Sequence, residues 1–182
     1  MKLQIRTGTF ETNSSSIHTI AIRRGTSDLG INAVLHQGGA IAFNLGEFGW
    51  EAKKHTSIDK RASYLWTMAC SDTKKDADAR EKFIRDTLAE LDIRCVFEPV
   101  VRKVYSDYGF ECCEKEDGGY FYIDHSDSWD WFKDKIFSDK ELLLDFLFGD
   151  SNVVTYNDND DYDAWLASID DGVDREEYDK GN

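Results

Sequence analysis

The chain has 182 residues and a formal net charge of −14, from 36 Asp and Glu against 22 Lys and Arg. This acidity argues against a protein that coats nucleic acid, because phosphate neutralisation requires clustered Lys and Arg. It also argues against a protein held on anionic lipid by a polybasic face. With 11 Phe, 8 Tyr and 5 Trp, the chain is too aromatic to be disordered.

The acidic residues are concentrated in the second half of the chain. Residues 1–105 carry 16 basic and 13 acidic side chains, whereas residues 106–182 carry 6 basic and 23 acidic ones. The length favours one domain. We therefore expect an α+β domain over residues 1–156, followed by an acidic C-terminal segment over residues 157–182 that contains a short helix and a frayed tail.

Alternating apolar residues predict strands at residues 2–6, 17–24 and 40–45. The spacing then becomes helical. Ser57 is expected to cap a helix that ends near residue 70, and Asp72 or Thr73 is expected to start a second helix that ends near residue 91.

β-branched residues predict a strand over residues 93–105. Residues 108–113 and 119–124 are predicted to flank a turn at Asp117-Gly118, a strong hairpin signal. Ser138 and Glu141 match a capping box and are predicted to start a helix that ends near residue 148, and a strand over 151–156 and a short helix over 163–169 are predicted to follow. The order predicts an α+β fold, mainly an antiparallel sheet with two to four helices packed on it.

The N-terminal loop gathers a carboxylate, an amide, hydroxyls and an imidazole. Its chemistry-bearing residues are Glu11, Asn13, Ser14, Ser16 and His18. A serine nucleophile requires a base within hydrogen-bond reach, and no nucleophile-elbow motif is present. The same residue types form Asx and Ser/Thr turns, and the loop could also contact a partner, so its role is left open.

No metal or cofactor site is predicted. The segment 157–163 is rich in Asp and Asn but lacks the glycine and the terminal carboxylate of an EF-hand loop. His125 stands alone beside two aspartates, no paired-histidine motif occurs, and neither glycine-rich phosphate-binding motif is present. The four cysteines form no C-x-x-C pair, and no apolar run reaches the length of a signal peptide or a membrane span. We therefore expect a reduced, cytoplasmic protein.

The acidic half interleaves carboxylates with aromatic side chains. A row of carboxylates can imitate the phosphates of a nucleic acid and occupy a groove lined by Lys and Arg, with an aromatic residue as the buried anchor. The predicted contacts with a basic partner are Asp158, Asp160, Asp161, Asp163, Trp165, Asp170 and Asp171. The alternative is a solvated acidic face.

The first half could carry a second surface. Six basic residues are candidates for contact with duplex DNA, with ordinary surface charge as the alternative: Arg23, Arg24, Lys53, Lys54, Lys60 and Arg61.

The N-terminal segment resembles the signature of a family of small phage and mobile-element proteins of Firmicutes, R-x-G-x-F-E-T-N-S-S-S-x-H; it reads RTGTFETNSSSIH over residues 6–18. Residues 122–125, 146–151 and 157–159 are also similar to that family. Size and acidity further resemble the type II-A anti-CRISPR proteins. That class has no shared active-site motif, so the resemblance implies no catalytic residue.

The resemblance implies a phage-encoded inhibitor, not an enzyme. It would bind a host nucleic-acid enzyme stoichiometrically, and the expected target is the type II CRISPR nuclease, whose heteroduplex lies in a positively charged channel. Binding would block DNA binding or cleavage. Two alternatives stay open: an enzyme, hydrolase or transferase, that uses the Ser/His-containing N-terminal loop, and a structural or assembly protein of the phage particle.

Overall fold

The computed structural model describes residues 16–49, 53–105, 110–124, 130–157 and 176–179. Within them it has an α+β fold whose largest sheet is antiparallel, which confirms the predicted class, but these ranges contain five helices where two to four were predicted. The helices in these ranges are α1 (Asp28–His36), α2 (Ile58–Ala69), α3 (Lys74–Ala89), α4 (Asp130–Ile136) and α5 (Lys140–Phe148). The strands are β1 (Ser16–Ile22), β2 (Ala40–Phe43), β3 (Glu47–Phe48), β4 (Lys53–His55), β5 (Arg94–Phe97), β6 (Val100–Tyr105), β7 (Phe110–Lys115), β8 (Tyr122–Ile123), β9 (Ser151–Asn157) and β10 (Glu176–Asp179).

The main sheet has four antiparallel strands in the order β10-β1-β9-β4. β1 and β9 are its central strands, and their register pairs Ser16 with Asn157 and Ile22 with Ser151. Ile20 and Ile22 are fully buried on one face of β1, while Thr19 and Ala21 on the other face are only 7% exposed. The predicted strands at 17–24 and 151–156 are therefore confirmed, as core strands covered on both faces.

The helix α2 is the centre of the core, since Tyr64, Leu65 and Met68 are fully buried and the helix packs against β2, α3, α5 and β8. The predicted N-cap Ser57 is confirmed, and of the two predicted starts of the second helix, Asp72 and Thr73, the structure has Thr73 as the N-cap. The hydroxyl of Ser57 accepts from the backbone N–H of Lys60 at the start of α2, and that of Thr73 accepts from Asp76 at the start of α3. Each hydroxyl satisfies an amide that would have no partner within the helix.

The helix α1 was not predicted from the sequence. Val34 is its one buried side chain, Leu29 is 85% exposed, and Gly30 disfavours a helix. The structure explains the glycine. A Cβ at residue 30 would lie 2.2 Å from the carbonyl oxygen of Phe148, so only glycine lets α1 approach the end of α5 this closely.

The predicted strand over 93–105 is two strands. Pro99 has no N–H to donate to a sheet, and it lies between β5, which runs parallel to β2, and β6, which pairs antiparallel with β7. The predicted hairpin of 108–113 with 119–124 is wrong. Gly118 does form a turn, with φ +78°, but β8 beyond it pairs in parallel with β3.

The predicted capping box of α5 is also wrong by one residue. The N-cap is Asp139, whose carboxylate accepts from the backbone N–H of Leu142 at 2.9 Å. Ser138 instead donates its hydroxyl to the carbonyl oxygen of Asp134 at 2.5 Å. Since α4 ends at Ile136, this hydroxyl is used at the end of one helix while the next residue caps the following helix.

The tail differs from the expected frayed end at residues 176–179. There β10 pairs with β1, with Glu176 opposite Ile22 and Asp179 opposite Thr19. The pairing satisfies backbone groups along an edge of β1 that would otherwise have no strand partner. The predicted strand at 2–6 and helix at 163–169 lie outside the described residues. None of the helices in the described ranges is long and apolar enough to cross a membrane.

Candidate functional site

The sheet fixes both ends of the acidic segment that was predicted to bind a partner. β9 ends at Asn157, opposite Ser16 at the start of β1, and β10 begins at Glu176, opposite Ile22 at its end. These two ends are about 20 Å apart along the strand. The predicted contacts between them lie outside the described residues: Asp158, Asp160, Asp161, Asp163, Trp165, Asp170 and Asp171.

Arg61 is not available for the nucleic-acid contact predicted for it. Only 3% of the residue is exposed, and its Nη1 donates to the carbonyl oxygens of Gly149 at 2.7 Å and Ser151 at 2.8 Å. Burial lowers the pKa of Arg61 to about 10, so it remains a cation at neutral pH. Arg61 fixes the turn between α5 and β9 to α2, a connection that periodicity alone does not reveal.

Arg23 and Arg24 are engaged by carboxylates. Arg24 lies 3.4 Å from a carboxylate oxygen of Asp139 and 3.8 Å from one of Asp145. Arg23 lies 3.8 Å from Asp150 and its side chain is 55% exposed. Asp145 is itself buried and accepts the backbone N–H groups of residues 25 and 26. These contacts hold the β1–α1 turn against α5 and give Arg24 a structural role, whereas Arg23 makes one long ion pair at the surface.

The three predicted lysines lie around β4 and the first turn of α2. Lys53 and Lys60 are exposed and line one cleft, of about 410 Å³. Lys54 is half-buried and points to the other face of β4, since side chains alternate along a strand. Of the six basic candidates, the structure thus brings two together at one concave site.

The predicted Ser/His loop is described only from Ser16 onward, so Glu11, Asn13 and Ser14 lie outside the described residues. His18 is fully buried, and its Nδ1 forms a 3.0 Å hydrogen bond with the hydroxyl of Tyr64. Burial raises the pKa of Tyr64. An imidazole in the core has no access to a substrate from solvent, so its position does not favour the enzyme hypothesis.

His125 also lies outside the described residues. Within the described ranges, no group of three or more His, Cys, Asp or Glu side chains is arranged to hold a metal ion. The four cysteines are free thiols. Cys70 directly follows α2, and burial raises the pKa of its thiol, whereas interaction with the Cys70 thiol lowers the pKa of Cys113 on β7.

A buried ionic cluster ties α4 to the α2–α3 junction. Lys133 is only 2% exposed, and its Nζ lies 3.1 Å from a carboxylate oxygen of Asp72. Arg80 lies 2.6 Å from the same carboxylate. Burial disfavours this charge, but hydrogen bonds from the two cations outweigh it and lower the pKa of Asp72. The cluster joins three helical segments and is structural.

The cleft contains residues that the sequence analysis did not select. His55 on β4 and Ser63 on α2 lie on it with Asn44, Glu47, Phe48, Asp59 and Tyr122. Alternation could have placed Lys53 and His55 on one face of a strand. No sequence signal joins that strand to α2, because the contact arises from the tertiary fold.

Comparison of the chain with protein-family models, with curated proteins and with solved structures gives no match.

Proposed function

We propose that the chain is a phage-encoded inhibitor that binds a host nucleic-acid enzyme stoichiometrically through its acidic C-terminal segment. The proposed target is the type II CRISPR nuclease in the cytoplasm of the bacterial host. Binding would occupy the basic channel for nucleic acid and block DNA binding or cleavage. The resemblance of residues 6–18 to a phage protein family supports the origin.

One observation carries the proposal. Between Asp158 and Asp174 the chain has seven aspartates and no Lys or Arg, and β9 and β10 fix both ends of this stretch to one central strand. Tethering at both ends lowers the entropy lost when a segment binds. Concentrated negative charge attracts a basic groove over a long range and speeds the encounter.

Titration of a type II nuclease–guide complex with the chain, before target DNA is added, tests the proposal. We expect DNA cleavage to fall linearly and to end near one equivalent of chain per nuclease. An enzyme would inactivate the nuclease at a small fraction of an equivalent. Full cleavage in the presence of excess chain, or an end point far below one equivalent, would contradict the proposal.

A matched pair of variants distinguishes the effect of the acidic segment on association from the effect of the total charge of the chain. One variant replaces the six predicted aspartates, Asp158, Asp160, Asp161, Asp163, Asp170 and Asp171, with Asn. The control neutralises six exposed carboxylates elsewhere with Asn or Gln: Asp78, Asp86, Glu90, Asp92, Glu116 and Asp134. We expect association to slow at least about tenfold in the first variant only. Equal effects would show that net charge, not the segment, drives association.

A further inference from the structure

The cleft between β4, the start of α2 and the β3–β8 pair has two chemically different ends. Its volume of about 410 Å³ lies within the range of small-molecule sites, about 300 to 1,000 Å³. The strand β4 lies at the end of the main sheet, where Lys53 pairs with Thr155 and His55 with Val153. The strand β3 pairs with β8, which places Glu47 opposite Tyr122.

The β4–α2 end carries two ammonium groups and an imidazole, with the carboxylate of Asp59 next to Lys60. Lys53 and His55 lie two residues apart on β4, on one face of the strand, and Lys60 lies in the first turn of α2. Burial of the imidazole lowers the pKa of His55, and the charges of Lys60 and Lys53 lower it further. The positive charges of both ammonium groups therefore raise the electrostatic potential around this ring. Two ammonium groups outnumber the one carboxylate at this end, and beside an imidazole that can accept a proton they form a binding environment for an anion.

The β3–β8 end is aromatic and has groups that form directional hydrogen bonds. Tyr122 offers a ring, Asn44 an amide and Glu47 a carboxylate. The backbone N–H of Tyr122 donates to the carbonyl oxygen of Gly46 at 3.1 Å, so β8 is fixed to the loop that follows β2. A carboxylate accepts from the amino group of a nucleobase, and an aromatic ring stacks on its face.

The part of the cleft between its two ends is formed by Phe48, whose position is fixed by packing. The Phe48 ring contacts His55 edge-on at 5.5 Å and Tyr64 at 4.9 Å. The backbone N–H of Gly46 donates to the hydroxyl of Thr67 on α2 at 2.9 Å. A Cβ at Gly46 would lie 2.7 Å from the Phe48 ring and 2.9 Å from Oγ of Ser63. Because glycine has no side chain, the loop at Gly46 packs directly against Phe48 and Ser63.

We propose that this cleft binds a nucleoside monophosphate group, with the phosphate between Lys53, His55 and Lys60 and the base beside Tyr122 and Glu47. Asp59, on the α2 wall, accepts hydrogen bonds from ribose hydroxyls, as an acidic residue does in dinucleotide-binding folds. The carboxylate of Glu47 favours bases that carry an amino group. The group comes either from a free nucleotide or from the 5′ end of a nucleic-acid strand.

The imidazole of His55 provides a direct readout by NMR. The chain has four histidines, and a His55→Gln variant assigns the signal. We expect cytidine or adenosine 5′-monophosphate, added up to about 10 mM, to shift this signal saturably and to raise the pKa of His55, because an adjacent phosphate stabilises the imidazolium. Inorganic phosphate should bind at least about tenfold more weakly, since it lacks the base and the ribose.

Variants locate the site. Lys53→Ala and Lys60→Ala should each weaken nucleotide binding about three- to fivefold, and Glu47→Gln should abolish the preference for cytidine over uridine monophosphate. Lys82→Ala is the control, because Lys82 is exposed on α3 outside the cleft. A 5′-phosphorylated tetranucleotide that binds more tightly than the monophosphate identifies a strand end as the ligand, and the reverse order identifies a free nucleotide.

Three results would overturn the proposal: no change in the His55 signal at the highest nucleotide concentration, equal affinity for inorganic phosphate and nucleotide, or an equal loss of affinity in the Lys82→Ala variant. The acidic segment is unchanged in all these variants. Failure of this site would therefore leave the proposed inhibitor function untouched.

Discussion

At the level of single residues, burial separates the basic side chains into structural and surface groups. Arg61 contributes a buried cation whose Nη1 donates to the two carbonyl oxygens of Gly149 and Ser151. Arg23 makes one long ion pair with Asp150 at the surface. A buried hydrogen bond to a charged group contributes about 1.5 to 3 kcal/mol, whereas an exposed ion pair contributes about 0 to 1 kcal/mol.

We therefore expect Arg61→Met to lower the free energy of unfolding by about 2 kcal/mol, because two buried carbonyl groups lose their donor. The matched variant Arg23→Met should change it by less than about 0.5 kcal/mol. Urea denaturation followed by tryptophan fluorescence measures both. A similar small effect for the two variants would show that Arg61 is not a structural residue.

Residue type alone could not make this distinction. Arg61 and Lys60 are neighbours and both were candidate DNA contacts, yet Lys60 lies on the exposed side of α2 and Arg61 on the side that faces α5. His18 is similar. The sequence placed it correctly on a strand, but its partner Tyr64 is 46 residues away, so its burial depends on how α2 packs.

At the level of elements, predictions succeeded where local signals and tertiary contacts agree. Ser57 and Thr73 cap α2 and α3 as expected, because the caps use groups within one turn. Predictions failed where the pairing of a strand depends on another strand that is distant in the sequence. The turn at Asp117-Gly118 formed, but β8 pairs with β3 rather than β7, and the residues of a tight turn cannot specify a partner 70 positions away.

Helix α1 provides a test in which propensity and packing have opposite signs. Alanine is favoured over glycine in a helix by about 1 kcal/mol. At residue 30, however, the new Cβ would lie 2.2 Å from the carbonyl oxygen of Phe148, and overpacking costs about 1 to 3 kcal/mol. We expect Gly30→Ala to destabilise the protein, as measured by thermal unfolding.

Asn32→Ala is the control for this substitution. Asn32 is exposed on the same helix, so alanine there should be neutral or stabilising by about 0.5 kcal/mol. If Gly30→Ala unfolded at a higher temperature than the parent chain, the close approach of α1 to α5 would be wrong.

At the level of the whole molecule, the most acidic stretch of the sequence lies between two strands, β9 and β10, that both pair with β1. The division of the sequence into a slightly basic half and a strongly acidic half was available from composition. The composition does not show that β10 pairs with β1 and so fixes the acidic stretch at both ends. Glu176–Asp179 has no alternation of apolar residues that would predict a strand. The pairing depends on the open edge of β1.

The central claim is that the acidic segment binds a basic groove by electrostatic attraction. The dissociation constant of the complex with the type II nuclease, measured between about 50 and about 300 mM salt, tests it most directly, since screening acts on exposed charges in this range. We predict that the constant rises at least about tenfold for the parent chain and much less for the variant with the six aspartates replaced. A constant that is the same at both salt concentrations would contradict the claim.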